Sequence, residues 1–190
     1  MKFSLIAAAD EKMGIGKSGR LPWHIPADLK FFHDTTIGRG KNAVIMGRTT
    51  WESIPEKRRP LAERTNIVLT HQNSYAVPSG VLQAASLQEA LQKAQQKNKV
   101  APSGRINDLA SPRLGLAEEI FVIGGAKVFE EAIGNPNCQT IYLTEIFGDF
   151  RCDAFFPKID PAKFKKISES PMHEENNIKF RFVKLHDLHQ

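Results

Sequence analysis

Two stretches of the chain carry side chains whose type and spacing suit chemistry. The first is Leu21-Pro22-Trp23-His24-Ile25-Pro26-Ala27-Asp28-Leu29-Lys30-Phe31-Phe32. Pro26 suits the first turn of a helix, and an acid in that turn ordinarily faces solvent and offsets the helix dipole. Asp28, however, has Trp23, Leu29, Phe31 and Phe32 as sequence neighbours. A carboxylate in apolar surroundings must be paired or hold its proton; a flat cationic or amidine-like ligand edge would pair it. The second stretch, Gly14-Ile15-Gly16-Lys17-Ser18-Gly19, spells the dinucleotide pattern G-x-G-x-x-G. That pattern works only where its glycines open a helix. Here Arg20-Leu21-Pro22-Trp23 follows, and Pro22 and Pro26 bar an immediate long helix. It is no P-loop either, because Glu11 stands where the first glycine belongs. What remains is a flexible glycine loop that can act as a lid. No metal site is expected: His186-x-x-His189 reads as solvated, and Cys138 and Cys152 have neither zinc spacing nor a disulfide framework.

The elements that must position these groups follow from the apolar pattern. Phe3 to Ala9 runs without alternation, as a strand buried on both faces does. Asn42 to Met46, Asn66 to Thr70, and Ile120 to Ile123 with Gly124-Gly125 after it read the same way. Helices are expected over Pro26 to Thr35, from the capping box Ser86-Leu87-Gln88-Glu89 to about Lys97, and over Ala126 to Ile133. Alternating strand and helix argue an α/β fold with a central, mixed, mostly parallel sheet flanked by helices. Thr140 to Phe147, Phe164 to Ser170 and Ile178 to Leu185 read as further strands. Residues 171–177 are turn-like, so the chain is expected to end in an antiparallel hairpin. Residues 98–117, with Pro102, Gly104, Pro112 and Gly115 among polar residues, read as a surface insertion in one domain spanning 1–190.

Composition excludes several classes. The 190 residues are 41% hydrophobic and 25% charged, ordinary values for a globular domain. No apolar run approaches the roughly 20 residues that span a bilayer. The N-terminal apolar run is short and meets Asp10-Glu11-Lys12 at once, so it reads as a strand rather than a signal peptide. A cytoplasmic location is the default expectation. The net charge of +5 suits nucleic acid or a polyanionic small molecule, and charge alone does not choose between them. The basic residues are scattered without an aromatic array, so no nucleic acid and no membrane partner is expected.

The stretch Leu21 to Phe32 closely resembles the signature of the dihydrofolate reductases. So do Val44-Ile45-Met46-Gly47-Arg48-Thr49-Thr50-Trp51-Glu52-Ser53-Ile54, Arg64-Thr65-Asn66-Ile67-Val68-Leu69-Thr70, Ile123-Gly124-Gly125-Ala126-Lys127-Val128-Phe129 and Ile141-Tyr142-Leu143-Thr144. The blocks fall in family order and cover nearly all of the chain except 98–117. The resemblance implies an NADPH-dependent oxidoreductase that reduces dihydrofolate to tetrahydrofolate for one-carbon metabolism. It further implies a monomer and a target for antifolates. The riboflavin-pathway reductase of the same fold lacks the pattern carried by Pro22, Trp23, Pro26, Ala27 and Asp28. A non-catalytic nucleotide-binding module is the other alternative.

The resemblance also implies roles. Asp28 binds the pterin edge, assisted by the Thr144 hydroxyl; Leu21 and Trp23 belong with it in the catalytic group. Ile6, Ala7 and Ala8 form the floor, with Leu29, Phe32, Ile54, Leu61 and Ile123 as walls. Arg64 takes a carboxylate of the substrate's glutamate tail, a task suited to a guanidinium fork. On the cofactor side, Gly47-Arg48-Thr49-Thr50 and Gly124-Gly125-Ala126-Lys127 each follow a strand and open a helix, so their N–H groups can hold phosphate. Arg48, with His71 and Lys127, is expected at the 2′-phosphate. Ala8, Ile15, Gly16, Leu69, Thr70, Ile123, Val128 and Phe129 complete the NADPH site. The Gly124-Gly125 peptide is expected to be cis. Family members often carry Gly at Ala126 and Arg at Lys127. At Ala154, after Asp153, many carry a hydroxyl, which weakens the carry-over of lid contacts from this loop to the Gly14–Arg20 loop.

Overall fold

The structure is a computed structural model that describes residues 2–72, 74–95 and 118–188. The expected insertion at 98–117 and the expected helix end near Lys97 lie outside the described residues. The strands are β1 (Phe3–Ala9), β2 (Gly14–Gly16), β3 (Ala43–Gly47), β4 (Thr65–Leu69), β5 (Leu82–Ala84), β6 (Ile120–Gly124), β7 (Cys138–Phe147), β8 (Ala154–Phe155), β9 (Phe164–Glu169), β10 (His173–Glu175) and β11 (Ile178–Asp187). The helices are α1 (Pro26–Ile37), α2 (Arg48–Ser53), α3 (Leu87–Gln95) and α4 (Ala126–Gly134).

Nine strands form one sheet in the order β10-β11-β7-β1-β6-β3-β4-β5, with β9 beside β11. From β7 to β5 neighbouring strands run parallel. β11 is antiparallel to β7. The mixed, mostly parallel sheet read from the sequence is thus present. The unbroken apolar runs have the burial they imply: Ala43, Val44, Ile45 and Met46 of β3 are wholly buried. Because successive side chains point to opposite faces, each strand feeds two cores. Leu5, Ile45, Ile67 and Val122 pack with Leu87, Ala90 and Leu91 of α3 and Phe129 of α4. Ile6, Val44, Met46, Val68 and Phe121 pack with Trp51 of α2 and with Phe31 and Phe32 of α1. No helix among the described residues is long and apolar enough to cross a membrane.

The C-terminal region departs from expectation in one respect. Residues 171–177 are not all turn, because His173–Glu175 is β10, paired with Ile178–Phe180. The turn itself is Asn176-Asn177, both at positive φ (54° and 60°), as a two-residue hairpin turn requires. β9 pairs with the other end of β11, from Val183 to Asp187. Gly124-Gly125 and Arg59-Pro60 are cis peptides.

Candidate active site

The acid singled out by its neighbours is buried. Pro26 opens α1, whose N-cap Ile25 offers no side-chain hydrogen bond. The Ala27 N–H instead donates to Glu175 Oε2 at 2.9 Å, from β10. Asp28, in that first turn, is only 8% exposed. The Thr144 hydroxyl on β7, itself 1% exposed, donates to Asp28 Oδ1 at 2.6 Å. Burial pushes the Asp28 carboxyl above its ordinary value, and the Thr144 hydrogen bond partly opposes this. Trp23 lies in a cluster with Ile25, Ile146, Phe180 and Ala8. It meets Phe150 edge-on at 5.2 Å, and its buried Nε1 has no acceptor among the described residues.

The expected apolar walls come together in the fold. Ile6, Phe32, Ile54, Leu61 and Ile123 gather in one cluster with Phe31, and Leu29 is half-buried on α1 next to Asp28. Phe31, which sequence reasoning did not assign, stacks on Phe182 of β11 at 4.2 Å. Arg64 is buried rather than a surface cation. Its Nε donates to the Ala62 carbonyl at 2.9 Å and its Nη1 to Thr36 Oγ1 at 2.6 Å. The Thr36 hydroxyl in turn donates to the Phe32 carbonyl at 2.7 Å. Desolvation pulls the guanidinium pKa down while Glu63 opposes it. Thr36, unassigned from sequence, thereby fixes the fork.

A cavity of about 950 Å³ opens at the C-terminal ends of the parallel strands, where ligands of open α/β sheets bind; one of its lining residues, Ala8, pairs with Thr144, the partner of Asp28. Every residue expected on the cofactor side lines it. β1 gives Ala8 and β2 gives Ile15 and Gly16. The β3–α2 turn gives Gly47, Arg48, Thr49 and Thr50, and the end of β4 gives Leu69, Thr70 and His71. The β6–α4 turn gives Ile123, Gly124, Gly125, Ala126, Lys127, Val128 and Phe129. Ala7, Ala8, Leu21 and Ile123 bring expected substrate or catalytic residues to the same wall. Asp28, Thr144 and Arg64 stand outside this lining.

The two glycine turns interlock. A Cβ on Gly47 would meet Val128 Cγ2 at 3.2 Å and the Gly125 nitrogen at 3.6 Å. A Cβ on Gly124 or Gly125 would meet Thr50 Oγ1 at 3.1 Å. Both helices start on glycine and have no side-chain cap, so their first N–H groups are open to an anion. Two such starts on one cavity suit a pyrophosphate-linked dinucleotide. Lys127, Arg48, His71 and Arg20 add basic side chains to the wall. Gln72, Ser86 and Leu87, missed from sequence, line it as well. The capping box was the available signal for the last two, since it follows a strand. Ser86 Oγ does accept from the Glu89 N–H (3.2 Å), although the Glu89 carboxylate takes the Ala85 N–H (2.7 Å) rather than that of Ser86.

The glycine loop is more ordered than its composition suggests. Gly14–Gly16 pairs with Ala154–Phe155 in a two-stranded ribbon. The Asp153 N–H donates to Gly16 O at 3.0 Å, and Ser18 N–H donates to Asp153 Oδ2 at 2.7 Å. The two loops therefore do touch despite Ala154, because the contacts run through backbone and Asp153 and need no hydroxyl at 154. Gly14 serves packing: a Cβ there would lie 2.4 Å from Cys152 Cβ. Asp10 anchors the loop's base, accepting N–H bonds from Lys12 (2.9 Å), Gly14 (2.7 Å) and Phe150 (3.2 Å). His186 Nδ1 lies 3.1 Å from Thr140 Oγ1, and His189 is outside the described residues.

The dihydrofolate reductase family model matches residues 2–187. A dihydrofolate reductase of Drosophila melanogaster is 38% identical over 192 residues, which cover 96% of each chain. A bifunctional dihydrofolate reductase-thymidylate synthase of Arabidopsis thaliana is 41% identical over 188 residues, 95% of this chain and 33% of that protein. The chain thus spans about a third of the length of such plant relatives. Among solved structures, a dihydrofolate reductase from Enterococcus faecalis complexed with NADP(H) and RAB-propyl superposes with a TM-score of 0.77. It is 35% identical and covers 98% of this chain, which covers 96% of it.

Proposed function

This chain belongs to the dihydrofolate reductase family, and from that premise we propose that it reduces 7,8-dihydrofolate to tetrahydrofolate with NADPH. The observation that carries the reading is the buried Asp28–Thr144 pair beside a cavity walled by two uncapped helix starts. NADPH, when bound, supplies a hydride from nicotinamide C4 to pterin C6 while N5 gains a proton.

The residues divide the remaining work. The first N–H groups of α2 and α4 hold the pyrophosphate, and Arg48, with His71 and Lys127, holds the 2′-phosphate. Asp28 accepts from the N3–H and 2-amino group of the pterin. Thr144 fixes the carboxylate for that contact and favours its charged form. Ile6, Ala7 and Ala8 form the floor, and Leu29, Phe32, Ile54, Leu61 and Ile123 exclude water from the rings. Arg64, held by Thr36 and the Ala62 carbonyl, keeps a donor edge for the glutamate tail. The ribbon of Gly14–Gly16, with Leu21 and Trp23, closes the nicotinamide end. Among the described residues assigned to the pterin Asp28 is the ionisable acid, and it binds the N3 edge rather than N5; the N5 proton is therefore assigned to water, and the Asp28 charge favours the protonated ring. Orientation and desolvation are the protein's share.

The chain acts as a single domain and a cytoplasmic monomer in one-carbon metabolism, and binds antifolates but not nucleic acid. The test is loss of NADPH absorbance on adding dihydrofolate, with a ribosylamino-pyrimidine as the competing substrate. Turnover of the pyrimidine and not of dihydrofolate would overturn the reading.

A further inference from the structure

Arg48 does not stand free at the cavity wall. It opens α2, and Glu52 lies four residues on, on the same helix face. Arg48 Nη1 donates to both Glu52 oxygens, at 2.9 and 2.8 Å. The guanidinium carbon lies 5.8 Å from the centre of the Tyr75 ring. Tyr75 packs by its ring against the apolar cluster behind α2. Burial and then Glu52 push its phenol above the ordinary value, so it remains a neutral platform. Both oxygens of Glu52 thus accept from a single Arg48 amino group, the Tyr75 hydroxyl also bonds Glu52, and Nε and Nη2 of Arg48 make no hydrogen bond to Glu52.

We propose that Glu52 and Tyr75 set cofactor selectivity by acting on Arg48, Tyr75 as the plate that holds the guanidinium flat and Glu52 as an anion that tempers its pull on a 2′-phosphate. The inference rests on the reading of this cavity as the NADPH site. The physical case is one of charge. A phosphate dianion reaching Arg48 also approaches the Glu52 carboxylate, held within hydrogen-bond distance of the same fork. The pair is partly exposed, at 36% and 40%, so its own contribution to folding is small. Its effect on an arriving anion is not lost with that, because like charges a few ångströms apart repel even in water. NADH and other nucleotides without the 2′-phosphate do not feel this repulsion at Arg48. Neither residue needs to touch the cofactor; both are positioning residues.

Binding measured by titration calorimetry on the full chain separates the terms, with NADPH, NADH, 2′,5′-ADP and 5′-AMP as probes. Glu52→Gln keeps a hydrogen-bond acceptor and removes the charge. It should tighten NADPH and 2′,5′-ADP by about three- to tenfold at low salt and leave NADH and 5′-AMP unchanged. The gain should shrink as salt rises and vanish in an Arg48→Ala background. Tyr75→Phe, which keeps the ring and loses the phenol's hydrogen bond to Glu52, should shift the probes that carry the 2′-phosphate far less than Tyr75→Leu, which should weaken those probes alone. Unchanged or weaker 2′,5′-ADP binding by Glu52→Gln, with Arg48→Ala still costing NADPH selectivity, would overturn the inference and leave the site reading intact. If Arg48→Ala alone keeps the full NADPH preference, the site reading itself fails, and the inference falls with it.

Discussion

At the proposed pterin edge the polar contact rests on two buried side chains, Asp28 and Thr144, joined at 2.6 Å. At the proposed pyrophosphate position it would fall to backbone, at the uncapped starts of α2 and α4, with side chains such as Arg48 left to the 2′-phosphate. The difference decides what each half tolerates. A side-chain site depends on chemistry: change one functional group and a buried partner is orphaned. A backbone site depends on space, because the N–H groups belong to every residue type, but close approach demands that Cβ atoms be missing. Hence Ala126 and Lys127 can depart from the commoner residues of the family, whereas Gly47, Gly124 and Gly125 interlock through the positions their Cβ atoms would fill.

The largest effect should come from the chemistry-dependent half. Asp28→Asn keeps shape and loses charge, and it should lower kcat/KM by on the order of 10²–10³ at neutral pH, with partial recovery at low pH, where dihydrofolate protonates in solution. NADPH affinity should barely move. The same variant should be more stable without ligand. Burial raises the folded-state pKa of Asp28 above its ordinary 3.8, so within that window the folded chain binds more protons than the unfolded one. Stability therefore falls as pH rises through the window and stays lower above it. Asn removes that loss. Single-turnover rates against pH, with melting of both proteins at acid and neutral pH, check both halves. Near-parental turnover by Asp28→Asn at neutral pH would reduce the acid to a helix-terminus residue.

Gly124→Ala probes the space-dependent half. Gly124 has a φ of 134°, and its new methyl would press on Thr50 Oγ1 at 3.1 Å. The backbone term alone costs about 1–3 kcal/mol, and NADPH binding should weaken by roughly tenfold or more, with antifolate binding to the free protein changed far less. Equal losses for both ligands would mean that the two halves are not separable.

The contrast also sorts what was legible in the sequence. Unbroken apolar runs such as Ala43–Met46 announce buried strands, and glycine after such a run announces a strand-to-helix turn. These signals are local, and the cofactor wall is built almost wholly from them. The pterin half joins residues far apart in the chain: Asp28 and Thr144 are 116 positions apart. Apolar neighbours marked Asp28, but only the family resemblance supplied Thr144. Some positioning contacts had no signal at all. Glu175, half-buried at the end of a three-residue polar strand, completes the start of α1. Gly14–Gly16 is a strand only because Ala154–Phe155 lies beside it, and a three-residue run with two glycines has no strand propensity of its own.

A smaller effect should come from the partner of the acid. Thr144→Val removes the hydrogen bond that holds down the Asp28 pKa, so the pKa rises further and the pH dependence of dihydrofolate binding shifts upward. One hydrogen bond of this kind corresponds to about a three- to tenfold loss in kcat/KM. A loss with no shift in the profile would assign Thr144 to packing rather than to the carboxylate.

The smallest effect should follow from replacing residues 98–117 with a short Gly-Ser linker. Every residue assigned to either half of the site lies among the described residues outside this stretch. The strands and turns that carry the cavity wall end before or start after this stretch, with α3 described to Gln95 and β6 from Ile120. No side chain assigned to pterin or cofactor comes from it. The stretch is rich in Pro, Gly and polar residues, and changing the length of such a connection costs little, only about 0.6 kcal/mol per doubling. kcat, KM for dihydrofolate and the affinity for NADPH should each stay within about threefold of the parent. The melting temperature should move by a few degrees at most. Steady-state kinetics and a melting curve on the same preparation decide the matter. A collapse of kcat in a chain that still melts as the parent does would show that a third region serves the site, and the division between a side-chain half and a backbone half would be incomplete.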